Sequence, residues 1–123
     1  MSNTPANAAS PSADAPGRLN PRTTIEACRS IALQLLAADG SALTPWLAAD
    51  ILDLSLGGVC LLLSDDGSLP LQQGMALRLD LRAQPDFQVD QLGASLRWFV
   101  PSGYVATLGV LFDQPLVRLP VLV

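Results

Sequence analysis

From residue 29 onward, apolar and polar positions alternate with a period of two over most of the chain. This is the pattern of strands that bury one face. In "RSIALQLL" (29–36), Ile31, Leu33 and Leu35 share one face. "LAADILDLS" (47–55), read as a regular strand, puts Leu52 and Leu54 on one face and Ile51, Asp53 and Ser55 on the other. "VCLLLS" (59–64) is a continuous apolar run of strand length. The cleanest alternation is "MALRLDLR" (75–82), with Met75, Leu77, Leu79 and Leu81 opposed to Ala76, Arg78, Asp80 and Arg82. "GASLRWFV" (93–100) and "YVATLGVLF" (104–112) are separated by "PSG" and read as a hairpin. "ADG" (38–40) and "SDDGS" (64–68) supply turns, the second read as a hairpin turn. The Ala and Leu content of 23–38 would also suit a helix, but the alternation favours a strand from about residue 29. The expected fold is all-β: five or six short strands in a small barrel or sandwich.

Both ends depart from this pattern. Residues 1–17, "MSNTPANAASPSADAPG", carry almost nothing that could form a core, so a disordered tail is expected there, with the domain spanning 18–123. The last ten residues, "QPLVRLPVLV" (114–123), are apolar but interrupted by Pro115 and Pro120. They are expected to pack as an extended segment or a sheet edge.

Composition narrows the function. Half of the 123 residues are hydrophobic, enough for one core, and the net charge is −4. Such a chain is a poor binder of DNA or RNA, which requires many neutralised phosphates. All seven basic residues are arginines; lysine and histidine are absent. Ser55 therefore lacks the usual His or Lys base, and neither Cys28 nor Cys60 can form a thiol–imidazole pair. The spacing of the cysteines suits no metal site, and no cofactor is expected. No run of about 18 apolar residues suggests a membrane span. The expectation is a cytoplasmic, non-catalytic binding domain with reduced cysteines.

Two short motifs carry candidate chemistry. Asp53 and Ser55 lie two apart, so in a strand their side chains leave the same face, and Gly57 and Gly58 follow at once. Glycine permits positive φ and close approach of a ligand to the backbone. "DLSLGG" thus reads either as a tight turn with locally satisfied polar groups or as a carboxylate, a hydroxyl and an open backbone converging on a ligand. "RLNPR" holds Arg18 and Arg22, at most roughly 13 Å apart in an extended chain. Guanidinium groups grip phosphates, read the O6/N7 edge of guanine and stack on bases. Asp53 can accept from guanine N1 and N2, and Ser55 can serve a phosphate or ribose oxygen. Together these residues suit a ligand that contains both phosphates and guanines.

"RLNPR" matches the RxxxR pattern, and "DLSLGG" the D/NxSxxG pattern, of PilZ domains. The order of strands through "LQQGMALRLDL" and "ASLRWFVPSGYVATLGVLF" is also similar, and the resemblance covers roughly 18–113. It implies an all-β fold, a small six-stranded antiparallel β-barrel, that binds cyclic di-GMP. By that resemblance Arg18 and Arg22 would grip guanine edges and phosphates, Asp53 and Ser55 would hold guanine and nearby polar groups, and Gly57 and Gly58 would leave room. Trp98 and Arg29 are further candidates. The arginine segment would order over the ligand and the signal would pass to a protein partner, in motility, pilus or exopolysaccharide machinery. The alternative is a nucleotide-independent adaptor with the same fold.

Overall fold

The computed structural model describes residues 23–24 and 29–123, and the fold they form is all-β. The strands are β1 (Thr23–Thr24), β2 (Ser30–Leu35), β3 (Leu47–Leu54), β4 (Gly58–Ser64), β5 (Ala76–Asp80), β6 (Gln91–Ser102) and β7 (Val105–Phe112). One 3₁₀ turn, Pro85–Phe87, lies between β5 and β6. The order is β1-β3-β2-β5-β6-β7-β4, and β4 returns to pair with β3. Strands β2 to β7 thus close a six-stranded antiparallel barrel, as the resemblance implies, and β1 adds to the edge of β3 next to β2. Closure leaves no long edge among these six strands for another chain to pair with.

The alternation explains the interior. Leu33, Leu35, Ile51, Leu61, Leu77, Leu79, Leu81, Leu96 and Leu108 are almost wholly buried and fill the barrel with aliphatic side chains. The ambiguous stretch after residue 29 is a strand, with Ile31, Leu33 and Leu35 inward as expected. In β5 the outward residues are Ala76, Arg78 and Asp80, and Arg82 beyond its end pairs with Asp80 at 2.6 Å. Among the described residues no helix is long and apolar enough to cross a membrane.

Two expectations need correction. Leu52 and Leu54 do not share a face: Leu52 is 40% exposed and Leu54 only 2%. The cause is a β-bulge. Ile51 pairs with Leu61 and Asp53 with Cys60, so Leu52 is an extra residue with no counterpart on β4. One extra residue turns the rest of the strand by one position. "SDDGS", in turn, does not close a hairpin. β4 pairs with β3 and β7 but not with β5, so residues 65–75 cross to another part of the barrel. Asp65 holds the start of that crossing by accepting from the Gly67 and Leu69 amides at 2.8 and 3.3 Å.

Candidate ligand groove

Strand register sets the site. Across the sheet the backbone of Thr24 pairs with Asp53, Asp53 with Cys60, Cys60 with Gly109 and Gly109 with Trp98. These five residues form one row across β1, β3, β4, β7 and β6. Two bulges bracket the row. Leu52 is the extra residue in β3; Arg97 is the extra residue in β6, where Leu96 pairs with Val110 and Trp98 with Gly109. Bulges re-aim side chains, and here they turn Asp53 and Trp98 toward the same strip of surface.

Beside the row lies a groove of about 750 Å³, bounded by the β3–β4 turn, Arg97 and Trp98 of β6, Gly109 to Leu111 of β7, and Leu119. Its size falls within the roughly 300–1,000 Å³ usual for small-ligand sites. Among the described residues Arg97 is the one cation on its wall. Asp53 also borders the groove and is 9% exposed, which is unusual for a carboxylate.

The "DLSLGG" motif contributes both a turn and an opening. The Ser55 amide donates to the Gly58 carbonyl at 2.9 Å, and the Ser55 hydroxyl donates to the same oxygen at 3.3 Å. The second bond is long for a hydroxyl, so little is lost when that proton turns to another acceptor. The Gly57 carbonyl accepts from Phe112 at 2.9 Å and the Leu56 carbonyl from Leu116 at 2.7 Å, which fixes the turn against the end of β7 and the segment after it.

The two glycines differ from expectation and from each other. Neither adopts positive φ. A Cβ on Gly58 would overlap the Val110 carbonyl oxygen and lie 3.2 Å from its carbon, so this glycine is needed for β4 to approach β7. A Cβ on Gly57 would meet nothing within 4 Å, so this position opens onto the groove for no structural reason of its own.

Trp98 forms part of the groove floor. The atoms nearest to a Cβ built on Gly109 are Cε2, Nε1 and Cδ2 of the indole, so the ring lies face-on over this glycine. Gly109 is buried beneath it, and Trp98 remains 46% exposed. One face of the indole therefore rests on the sheet while the other is open, as a stacking platform needs.

Of the residues the sequence singles out, the fold brings Asp53, Ser55, Gly57, Gly58 and Trp98 to one groove. Arg29 is half-buried outside it and accepts from the Ile51 amide through its carbonyl at 2.6 Å. Arg18 and Arg22, Cys28 and the stretch 1–17 lie outside the described residues. Thr23, the residue after Arg22, pairs with Leu54 at the groove edge. The sequence reading passes over Arg97, Gly109 and Leu119; an Arg directly before an exposed-looking Trp was the available signal for the first. Among the described residues no three carboxylate or thiol groups gather as metal ligands would.

A second hollow, of about 420 Å³, lies toward the opposite end of β4, bordered by Ser64, Asp65, Asp66, Ser68, Leu69 and Tyr104. Its two carboxylates disfavour a phosphate.

The family model of the PilZ domain matches residues 18–118. The chain belongs to the PilZ domain family. That family consists of cyclic di-GMP receptor domains, and in this PilZ domain both motifs fall within the matched span. No curated protein matches the chain.

Proposed function

We propose that this PilZ domain is a cytoplasmic, non-catalytic receptor that binds cyclic di-GMP in the groove between the β3–β4 turn and Trp98. The observation that carries this reading is the cross-strand row, which puts a largely buried carboxylate, Asp53, and an open indole face, Trp98, on one groove. Asp53 accepts from the N1 and N2 donors of one guanine. The Ser55 hydroxyl turns from Gly58 to a phosphate or ribose oxygen. Gly57 leaves space for the ring, Gly58 lets the strands close behind it, and Trp98 stacks on a base.

The chain reaches β1 directly from Arg22, and β1 pairs with the strand end that carries Asp53. In this reading Arg22 and Arg18, four residues earlier, supply the cations a cyclic dinucleotide needs. Ordering that segment costs about 1–2 kcal/mol per residue of backbone, against roughly 1–3 kcal/mol for a good arginine–guanine contact. Binding of modest strength follows, and a segment that orders only with ligand is a means of signalling to a protein partner.

Calorimetric titration with cyclic di-GMP tests this on the intact chain and on Arg22→Ala. The reading predicts heat of binding at tens of micromolar protein and a loss of about ten-fold or more in the variant. No binding, or equal binding by both chains, would overturn it. The second reading, a nucleotide-independent adaptor, draws on the apolar Val100, Tyr104 and Val105 exposed around the β6–β7 turn. The adaptor reading predicts that partner capture is the same with and without the nucleotide; the receptor reading predicts that it changes.

A further inference from the structure

Residues 114–123 hold no regular secondary structure, yet they are fastened to the barrel at three places. The Leu116 amide donates to the Leu56 carbonyl, in the β3–β4 turn, at 2.7 Å. The Arg118 guanidinium donates to both carboxylate oxygens of Asp86, at 2.9 and 3.1 Å, and the Val121 amide donates to Asp86 Oδ2 at 2.6 Å. Gln84 then holds the last residue by both its polar atoms. The Val123 amide donates to Oε1 at 2.7 Å, and Nε2 donates to the Val123 carbonyl at 2.8 Å. This amide imitates the paired hydrogen bonds of a neighbouring strand, and Gln84 is itself only 2% exposed.

The apolar pattern of the segment agrees with these ties. Leu116, Leu119 and Leu122 pack against the core, while Val117, Val121 and Val123 are exposed. A spacing of three is the repeat of a polyproline II strand, the conformation that Pro115 and Pro120 favour. The ties join elements at one end of the barrel: the β3–β4 turn, the β5–β6 loop and the start of β2, where Gln84 Nε2 also reaches the Ser30 carbonyl at 3.4 Å. Of the three inward leucines, Leu119 borders the groove.

We propose that this strap is a wall of the nucleotide groove, and that Gln84 and Asp86, which lie outside the groove, are positioning residues for it. The inference rests on the binding reading above. Leu119 supplies an apolar surface to the ligand, and the Leu116–Leu56 bond holds the turn that carries Ser55. Loss of the strap therefore weakens binding by two routes of the same sign. Because coupling between two events is reciprocal, bound nucleotide must also hold the strap more tightly. A strap that merely finishes the fold would show no such response.

The test combines calorimetry with amide hydrogen exchange on the full chain and on Leu119→Ala and Asp86→Ala. Cyclic di-GMP is the probe. Leu119→Ala keeps every strap tie and removes the wall; Asp86→Ala removes the hydrogen bonds to Arg118 and Val121 from a half-buried position outside the barrel core. The expected results are a Kd raised about ten-fold in each variant, faster exchange at Val121 in Asp86→Ala, and slower exchange at Val121 and Val123 of the intact chain once nucleotide is bound. If the intact chain binds but both variants keep its Kd, the inference is overturned and the binding reading stands. The same holds if the nucleotide leaves exchange at Val121 and Val123 unchanged. If the intact chain does not bind, the binding reading itself falls, and the inference with it. Tighter binding by either variant would make the strap an obstruction and contradict the proposal.

Discussion

The indole of Trp98 lies face-on over Gly109, so close that a Cβ at Gly109 would overlap ring atoms Cε2 and Nε1. Gly109 is therefore the seat of the aromatic floor, and the two residues act as one unit. Gly109→Ala must displace the ring. The expected cost is about 1–3 kcal/mol of stability, the usual range for overpacking, with a shift of the Trp98 indole N–H resonance. Nucleotide affinity falls as it does in Trp98→Ala. Combining the two changes adds little to either alone, because they remove the same platform. Additive losses in a double-mutant cycle would show that the two residues act separately.

Gly57 and Gly58 are neighbours with opposite reasons to be glycine. Gly58→Ala drives a methyl group into the Val110 carbonyl and is expected to cost about 1–3 kcal/mol or more in a denaturant melt. Gly57→Ala meets open space at an ordinary φ, so its stability stays within about 0.5 kcal/mol of the parent. Gly57 borders the groove, so weaker cyclic di-GMP binding is expected from the added methyl group. A Gly57→Ala chain that melts like Gly58→Ala would contradict this assignment.

The bulge at Leu52 makes a sharp distinction between two leucines that regular alternation treats alike. Leu54→Ala empties a core position and is expected to cost about 2–5 kcal/mol. Leu52→Ala removes a largely exposed side chain and should change stability by about 1 kcal/mol or less. Equal losses would mean that the strand runs without the extra residue.

Asp86 gives the strap a defined response to acid. Hydrogen bonding from Arg118, then from the Val121 amide, lowers its pKa from 3.8 to about 2. The folded-state value is depressed, so the contribution is complete above the ordinary value of 3.8. It is lost as pH falls from about 4 through about 2. The Val121 amide resonance, followed against pH, should therefore titrate with a midpoint near 2 and lose this response in Asp86→Ala. A midpoint near 4 would show that Asp86 does not hold the strap in solution.

Much of the barrel was legible because period-two alternation directly reports a buried face. Leu77, Leu79 and Leu81 point inward as that rule requires, and so do Ile31, Leu33 and Leu35. The bulges were not legible. An extra residue such as Leu52 or Arg97 has no signature of its own and appears only when two strands are paired. The same limit applied to the site. Asp53, Ser55 and the glycines stand out in the sequence, but their relation to Trp98 depends on a register that runs through Cys60 and Gly109. Gln84 was invisible for a different reason: a glutamine in a polar loop gives no sign that both its polar atoms will bind the far end of the chain.

The central claim is that cyclic di-GMP binds in the groove between Asp53 and Trp98. Titrating the isotopically labelled chain with the nucleotide and following its amide and indole resonances tests this most directly. The account predicts saturable shifts at Ser55, Leu56, Gly57, Gly109 and the Trp98 indole N–H, with little change around Asp65 and Tyr104. An unperturbed spectrum at excess nucleotide, or shifts confined to the hollow around Asp65 and Tyr104, would contradict it.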